Sequence, residues 1–498
     1  MMNKIKIQRF LWHFLPVAAL VLWGALCITN QLWYDEAYSA SMVALPWKRL
    51  IYITAVDDHS PFYYVLLKLF YHLFGGGTHF YGLKLMSLLF MMGYMLLGKY
   101  YVKKLFGEEI SVWFMLFSLL MPIMSVQAGN VRMYALALFC LTLTGLSAYD
   151  IFLTDPQNGG IRKKWIIFCV ASICTVYCHT FALIQTFLFY LLFLGALLYS
   201  GQKKKLKPFF ISGIVVSVVF SPWLLVTLRQ MLLRMRYDAG SVTERPTIYS
   251  FMDYCKEWFS ALETPIGLVV FLGMGLLVVL GYYAVDWMKS RRNYAPAVGM
   301  LALGLTVLSG VLISVFINNC FLGRYAFPGF GFLMLFYAVG MSRACAQDDI
   351  GAVRKFPIRR VCILVPALLC FVLQYRSELS LEYDNGLAVY EEFVAQEVTE
   401  KDAFIGPYTH TIFLNVYHPQ LQYFLYGYKL YSLPFANTEA LTDFSQLESI
   451  QGNLWYICFA GNEPDQMAER YDYEEALSFH YMYYDFVIYR LIPKTGLS

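Results

Sequence analysis

Residues 11–38 read LWHFLPVAALVLWGALCITNQLWYDEAY, an apolar run followed at once by the carboxylate pair Asp35-Glu36. About twenty apolar residues cross a hydrocarbon core, so the run predicts a membrane helix. Two adjacent carboxylates where such a helix leaves the bilayer are costly to keep near lipid and mark a functional site by default. Lys4, Lys6 and Arg9 precede the run, which continues past Leu26 with no small-residue cleavage site. It therefore reads as a retained anchor and not as a removed signal peptide.

Composition carries this reading to the whole chain, which is 59% hydrophobic, 18% aromatic and 14% charged, with a mean hydropathy of +0.52. A soluble chain of 498 residues would expose far more charge. The net charge of +4 says little by itself, and no nucleic-acid partner is expected. The 11 cysteines form no Cys-x-x-Cys pair and lie mostly inside apolar runs, so neither a zinc site nor a disulfide framework is indicated.

Apolar runs of spanning length fall at 11–30, 82–102, 110–127, 133–153, 164–180, 181–200, 208–228, 265–288, 294–317, 325–343 and 360–376. Basic residues gather on alternate connections: Lys4/Lys6/Arg9, Lys99/Lys103/Lys104, Arg162/Lys163/Lys164, Lys203/Lys204/Lys205/Lys207, Lys289/Arg291/Arg292 and Arg354/Lys355/Arg359/Arg360. That alternation places the N-terminus in the cytoplasm, and an odd number of spans places the C-terminus outside. The tail turns acidic and tyrosine-rich from about Arg376. Glu391 to Lys401 suits a short helix, while Ala403-Phe404-Ile405 and Leu454 to Phe459 read as buried strands. The expectation is an all-α polytopic membrane bundle of about 11 transmembrane helices, with a small C-terminal extracytoplasmic α/β domain. Residues 1–376 form the membrane module, with its first exterior loop at 31–80, and residues 377–498 form the small domain. A multi-pass plasma-membrane protein is expected, although composition does not exclude the endoplasmic reticulum.

The unusual polar residues of the membrane half fall on the exterior face. Asp35, partly desolvated beside Glu36, suits a general base, since burial and a neighbouring carboxylate raise a pKa. The pair equally suits the first turn of a helix. Asp57-Asp58-His59 offers oxygen and imidazole to a divalent metal, a sugar or a phosphate. It also reads as a polar turn, with Ser60 and Pro61 opening a helix. Arg132 and Arg324 each stand at the outer mouth of a span, against the positive-inside trend. A guanidinium beside a helix N-terminus makes an anion pocket, although it could instead snorkel to the interface. His179 lies in the turn Tyr177-Cys178-His179-Thr180-Phe181, where local satisfaction is the commoner fate. The long exterior loop from Arg229 to Pro265 could cap a cavity.

The ordered set of motifs resembles the polytopic C-type-fold glycosyltransferases, specifically family 39-like enzymes related to protein mannosyltransferases and the aminoarabinose transferase. The resemblance rests on Asp35-Glu36, His59-Ser60-Pro61-Phe62-Tyr63-Tyr64, Arg132-Met133-Tyr134, Tyr177 to Phe181, Pro222-Trp223-Leu224 with Arg229-Gln230, and Arg324-Tyr325 with Pro328. Ser60 stands where the family carries a proline. The resemblance implies transfer of a sugar from a polyprenyl-phosphate carrier to a lipid, polymer or protein acceptor outside the membrane. Asp35 would act as base with Glu36 beside it, and transfer would invert the anomeric centre. Arg132 and Arg324 would stabilise the leaving phosphate. It further implies that Asp58, His59, Tyr134, His179 and Tyr325 bind substrate, with a divalent metal at Asp58 and His59 left open. The rivals are a polysaccharide ligase or polymerase, which needs no Asp-Glu after the first span, and a secondary transporter. Transporters often show internal repeats and midplane charges, and this chain shows no repeat.

Overall fold

The computed structural model describes residues 2–57, 59–74, 76–157, 159–237, 247–259, 266–317, 319–350, 358–426, 434–435 and 437–494. Among them, eight stretches are helical, long and apolar enough to cross a membrane: Lys6–Cys27, Tyr81–Phe106, Tyr134–Leu153, Thr180–Tyr199, Lys203–Leu232, Ala295–Phe316, Gly323–Gln347 and Ile358–Glu397. A ninth arises if the bent pair Glu108–Leu120 and Pro122–Gly129 is one span. The runs expected at 164–180 and 265–288 are also helices, Ile161–Val176 and Ile266–Arg291. The first has 16 residues, which is short for a full crossing.

The chain divides into two compact units. The first comprises Met1–Cys27, Asp58–Tyr63 and Lys84–Glu378. It is a helical bundle whose apolar faces meet through rings: Phe168, Phe189, Phe193 and Phe209 share one buried cluster. Asp150 is buried and meets Lys104 at 2.7 Å and Lys164 at 2.8 Å, as a carboxylate at the end of a span must. The Ile266–Arg291 and Phe330–Ile350 helices pack so closely that a Cβ on Gly340 would lie 2.4 Å from the Leu280 carbonyl oxygen. The Glu108–Leu120 helix stops at Met121, whose backbone is extended, and Pro122 opens the next helix at 71° to it. Proline has no N–H to continue the ladder, which accounts for the break.

The second unit comprises Ile28–Asp57, Tyr64–Leu83 and Leu379–Ser498. The helices Tyr34–Ala44 and Trp47–Val56, from the expected first exterior loop, therefore belong to the same unit as the tail. Its sheet contains β1 (Ala403–Gly406), β2 (Gln422–Tyr426), β3 (Thr438–Leu441), β4 (Leu454–Phe459), β5 (Tyr471–Tyr481) and β6 (Tyr484–Pro493) in the order β3-β2-β1-β4-β6-β5. Strands β1 to β4 run parallel, with Ile405 opposite both Phe424 and Tyr456. Strand β6 returns antiparallel to β4, with Ile488 opposite Ile457. Strand β1 is buried along its whole length, as parallel strands covered on both faces are. The helix expected over 391–401 is Gly386–Glu397. Lys401 is exposed, and Asp402 ends this turn by accepting the Thr399 N–H at 3.3 Å and the Trp455 indole N–H at 2.9 Å.

Of the long Arg229–Pro265 loop, residues 238–246 and 260–265 lie outside the described residues; residues 229–237 and Ile248–Phe259 are helical.

Candidate functional site

Each unit carries one group of the residues expected to act. In the second unit, Tyr34–Ala44 begins after Trp33, whose backbone is extended. Glu36, buried to 2% exposure, turns its carboxylate back to accept the Trp33 N–H at 3.2 Å. It therefore satisfies one of the orphan donors of the first helical turn. The structural role weighed for the pair falls to Glu36, while Asp35 is half-buried and its carbonyl accepts the Ser39 hydroxyl at 3.0 Å. At the other end of this helix Lys68 Nζ donates to the Val43 and Leu45 carbonyls at 2.6 and 2.5 Å, placing a cation where the helix dipole favours one.

The strand-like lead-in to Asp35 is held by tail tyrosines. Leu32 N–H lies 2.9 Å from the Tyr417 hydroxyl and 3.0 Å from that of Tyr481. Tyr481 in turn donates to Leu32 O at 2.9 Å, and Tyr417 to Asn30 O at 2.9 Å. Both rings are buried, so these hydroxyls have no water to fall back on. His410 stacks on Tyr34 at 3.7 Å between ring centres. Burial holds the His410 pKa below its ordinary value, and the nearby Asp35 carboxylate pulls the other way. Tyr38 donates its hydroxyl to Asp57.

In the first unit the helix ends gather cations. Arg132 is 6% exposed, in a tight turn that leads into the Tyr134–Leu153 helix. Its N–H bonds Asn130 O at 2.8 Å, and Ser87 Oγ donates to the same carbonyl at 2.6 Å. Lys84, three residues before Ser87 and thus on the same helix face, is fully buried. His179 lies in the turn before the Thr180–Tyr199 helix and caps it, accepting the Phe181 N–H on Nδ1 at 3.2 Å. Its pKa falls to about 3, first through desolvation and then through the charges of His59, Arg132 and Arg324. The imidazole is neutral at physiological pH, with Nδ1 as acceptor and Nε2 carrying the hydrogen. Its ring centre lies 4.7 Å from Tyr325 and 5.9 Å from Tyr134.

Arg324 is fixed through its backbone, whose N–H donates to Glu257 Oε2 at 2.8 Å. Trp258 Nε1 donates to Gly323 O at 2.8 Å. A Cβ on Gly323 would lie 2.4 Å from that Glu257 oxygen and 3.0 Å from the Tyr254 Cα, so a larger residue there would push the carboxylate aside.

The structure thus brings His59, Arg132, Tyr134, His179, Arg324 and Tyr325 into one neighbourhood, and Asp35 and Glu36 into the other unit. Asp58 lies outside the described residues. Glu257 and Lys84 were missed from sequence. A Glu flanked by Lys256 and Trp258 in a loop, and a Lys at the edge of a span, are unremarkable there. Among the described residues no group of three or more His, Cys, Asp or Glu side chains is placed to hold a metal ion. The donors gathered around His179 are mostly cationic, which suits an anion and not a cation.

No protein-family profile and no curated protein sequence matches the chain. Solved structures do resemble it. The crystal structure of ArnT from Cupriavidus metallidurans in the apo state superposes with a TM-score of 0.63 at 14% identity, covering 96% of this chain and 97% of that one. The same protein bound to undecaprenyl phosphate matches with the same score and identity, over 96% and 98%. The archaeal oligosaccharyltransferase AglB from Archaeoglobus fulgidus, in complex with an inhibitory peptide and a dolichol-phosphate, gives 0.52 at 11% identity over 92% and 70%. The protein has the GT-C fold of these multi-pass membrane glycosyltransferases.

Proposed function

We propose that the protein is a membrane glycosyltransferase that moves a sugar from a polyprenyl-phosphate carrier to an acceptor on the extracytoplasmic face. The observation that carries this reading is the cationic group Arg132 and Arg324 around a neutral His179 at the mouths of membrane helices. Such a group suits a phosphate at the bilayer edge. The fold shared with ArnT, which has been solved with undecaprenyl phosphate bound, supports the same class of donor.

In this reading Asp35 accepts the proton of the acceptor hydroxyl. The oxygen forms a bond to the anomeric carbon while the bond to the carrier phosphate oxygen breaks, its electron pair leaving with the phosphate. Attack from the side opposite the phosphate inverts the centre. Negative charge grows on the leaving phosphate, where the fixed guanidinium groups of Arg132 and Arg324 lower the barrier. His59, Tyr134, His179 and Tyr325 bind the donor. Glu36 shapes the helix that presents Asp35. Residues 1–376 make the plasma-membrane module, with the N-terminus cytoplasmic, and residues 377–498 lie outside and hold the Asp35 loop.

The test uses purified protein in lipid with a panel of radiolabelled polyprenyl-phosphate sugars, comparing the native chain with Asp35→Asn. Release of polyprenyl phosphate by the native chain alone supports the reading and names the sugar. Absence of both turnover and binding for every donor overturns it.

A further inference from the structure

The Tyr134–Leu153 and Thr180–Tyr199 helices both start beside the cationic group. Twenty residues at about 1.5 Å each carry their other ends roughly 30 Å away. There the first unit holds a cavity of about 590 Å³ walled by Tyr149, Phe152, Phe193, Ala196, Val298 and Phe332. Protein interiors are close-packed, so a void of this size is not a packing defect; it falls in the size range of ligand sites. Its floor is rigid. Phe332 stacks on Phe189 at 5.4 Å, and a Cβ on Gly145 or Gly299 would approach the Phe332 ring to 2.3 or 2.7 Å.

The rim differs in kind from the walls. Arg291 and Arg292 line the cavity and are exposed, and Asn293 beside them donates its amide to the Tyr149 hydroxyl at 2.7 Å. Among the described residues, no Asp or Glu lines the space. Arg292 has φ of 49°, a left-handed conformation one residue past the end of the Ile266–Arg291 helix. Glycine or asparagine normally holds that position, because a Cβ there is strained. An arginine in its place points to a use for the side chain.

We propose that this cavity binds an anionic phospholipid, with one acyl chain among the rings and its phosphate on Arg291 and Arg292. The alternation of basic connections puts this end at the cytoplasmic leaflet, where anionic lipid attracts basic residues. The site is distinct from the proposed donor site and does not depend on the transferase reading.

The experiment is native mass spectrometry of the full-length protein from detergent with equimolar phosphatidylglycerol and phosphatidylcholine. Retention of phosphatidylglycerol over phosphatidylcholine is expected, with a fall of about fivefold for each of Arg291→Gln and Arg292→Gly. Arg292→Gly relieves the backbone and keeps the fold, so a loss there is not misfolding. Ala196→Leu, which narrows the cavity, lowers retention of both lipids; thermal unfolding checks its fold. Equal retention of the two lipids, indifference to all three variants, or displacement of phosphatidylglycerol by polyprenyl phosphate would each overturn the proposal.

Discussion

Asp35 stands on an 11-residue helix whose lead-in residue Leu32 exchanges hydrogen bonds with Tyr417 and Tyr481, hundreds of positions away. Arg132, His179 and Arg324 stand at the ends of longer apolar helices and are framed by packed rings and backbone turns. The first kind of support is directional and is lost one bond at a time. The second is distributed, so one lost contact moves little. In the proposed reading, then, the candidate base is aimed by hydrogen bonds and the candidate anion site is held by packing.

The largest effect should come from the aimed group. Asp35→Asn is expected to lower transfer by about 10²–10⁴-fold, the worth of a positioned general base, while expression and melting temperature hold. Residual activity near native would remove Asp35 from the chemistry. Arg132→Ala or Arg324→Ala should cost on the order of 10²–10³-fold in kcat, with lysine restoring only part, because it offers a point charge where a planar fork is needed. Full rescue by lysine would argue against bidentate phosphate contact.

The supports themselves can be pulled. Tyr481→Phe leaves buried Leu32 backbone groups short of a partner and should destabilise by about 1–3 kcal/mol. Its kcat should fall more than its KM rises, since the base is displaced and the anion site untouched; a pure KM effect would break the comparison. Glu36→Ala should cost about 1 kcal/mol in thermal unfolding, as caps do, and Glu36→Gln less because the amide oxygen still accepts. If both abolish turnover without a stability change, Glu36 is catalytic.

The smallest effect is a pH slope. The folded pKa of His179 is about 3, below its ordinary 6.5, so the unfolded chain binds the extra proton between those values. Stability from this group therefore rises with pH across that window and is lost as pH falls. His179→Asn should lose less melting temperature between pH 7 and pH 5 than the native chain does. Equal losses would mean that the imidazole titrates normally.

The membrane part was legible because its signal is local. Apolar runs declare spans, and Arg132 and Arg324 stand out against them. What escaped depends on partners far away in sequence. Tyr417 and Tyr481 are two of 39 tyrosines, and nothing local marks their hydroxyls as the anchors of Leu32. Strand β5 was missed for a different reason. Asp472, Glu474 and Glu475 crowd it with charge, and an irregularity between Glu475 and Leu477 breaks its alternation. Glu257 acts on the backbone of Arg324, a role that no residue pattern announces.

The 71° break at Met121-Pro122 bears on how the protein is made. A bend frees backbone carbonyls and amides, and lipid offers them no partner. Nearly every residue of Pro122–Gly129 is buried, against neighbours that include the Met2–Cys27 and Ile248–Phe259 helices. The Ile248–Phe259 helix is synthesised more than a hundred residues later. The packing around the broken segment is thus completed only after the Ile248–Phe259 helix has left the ribosome.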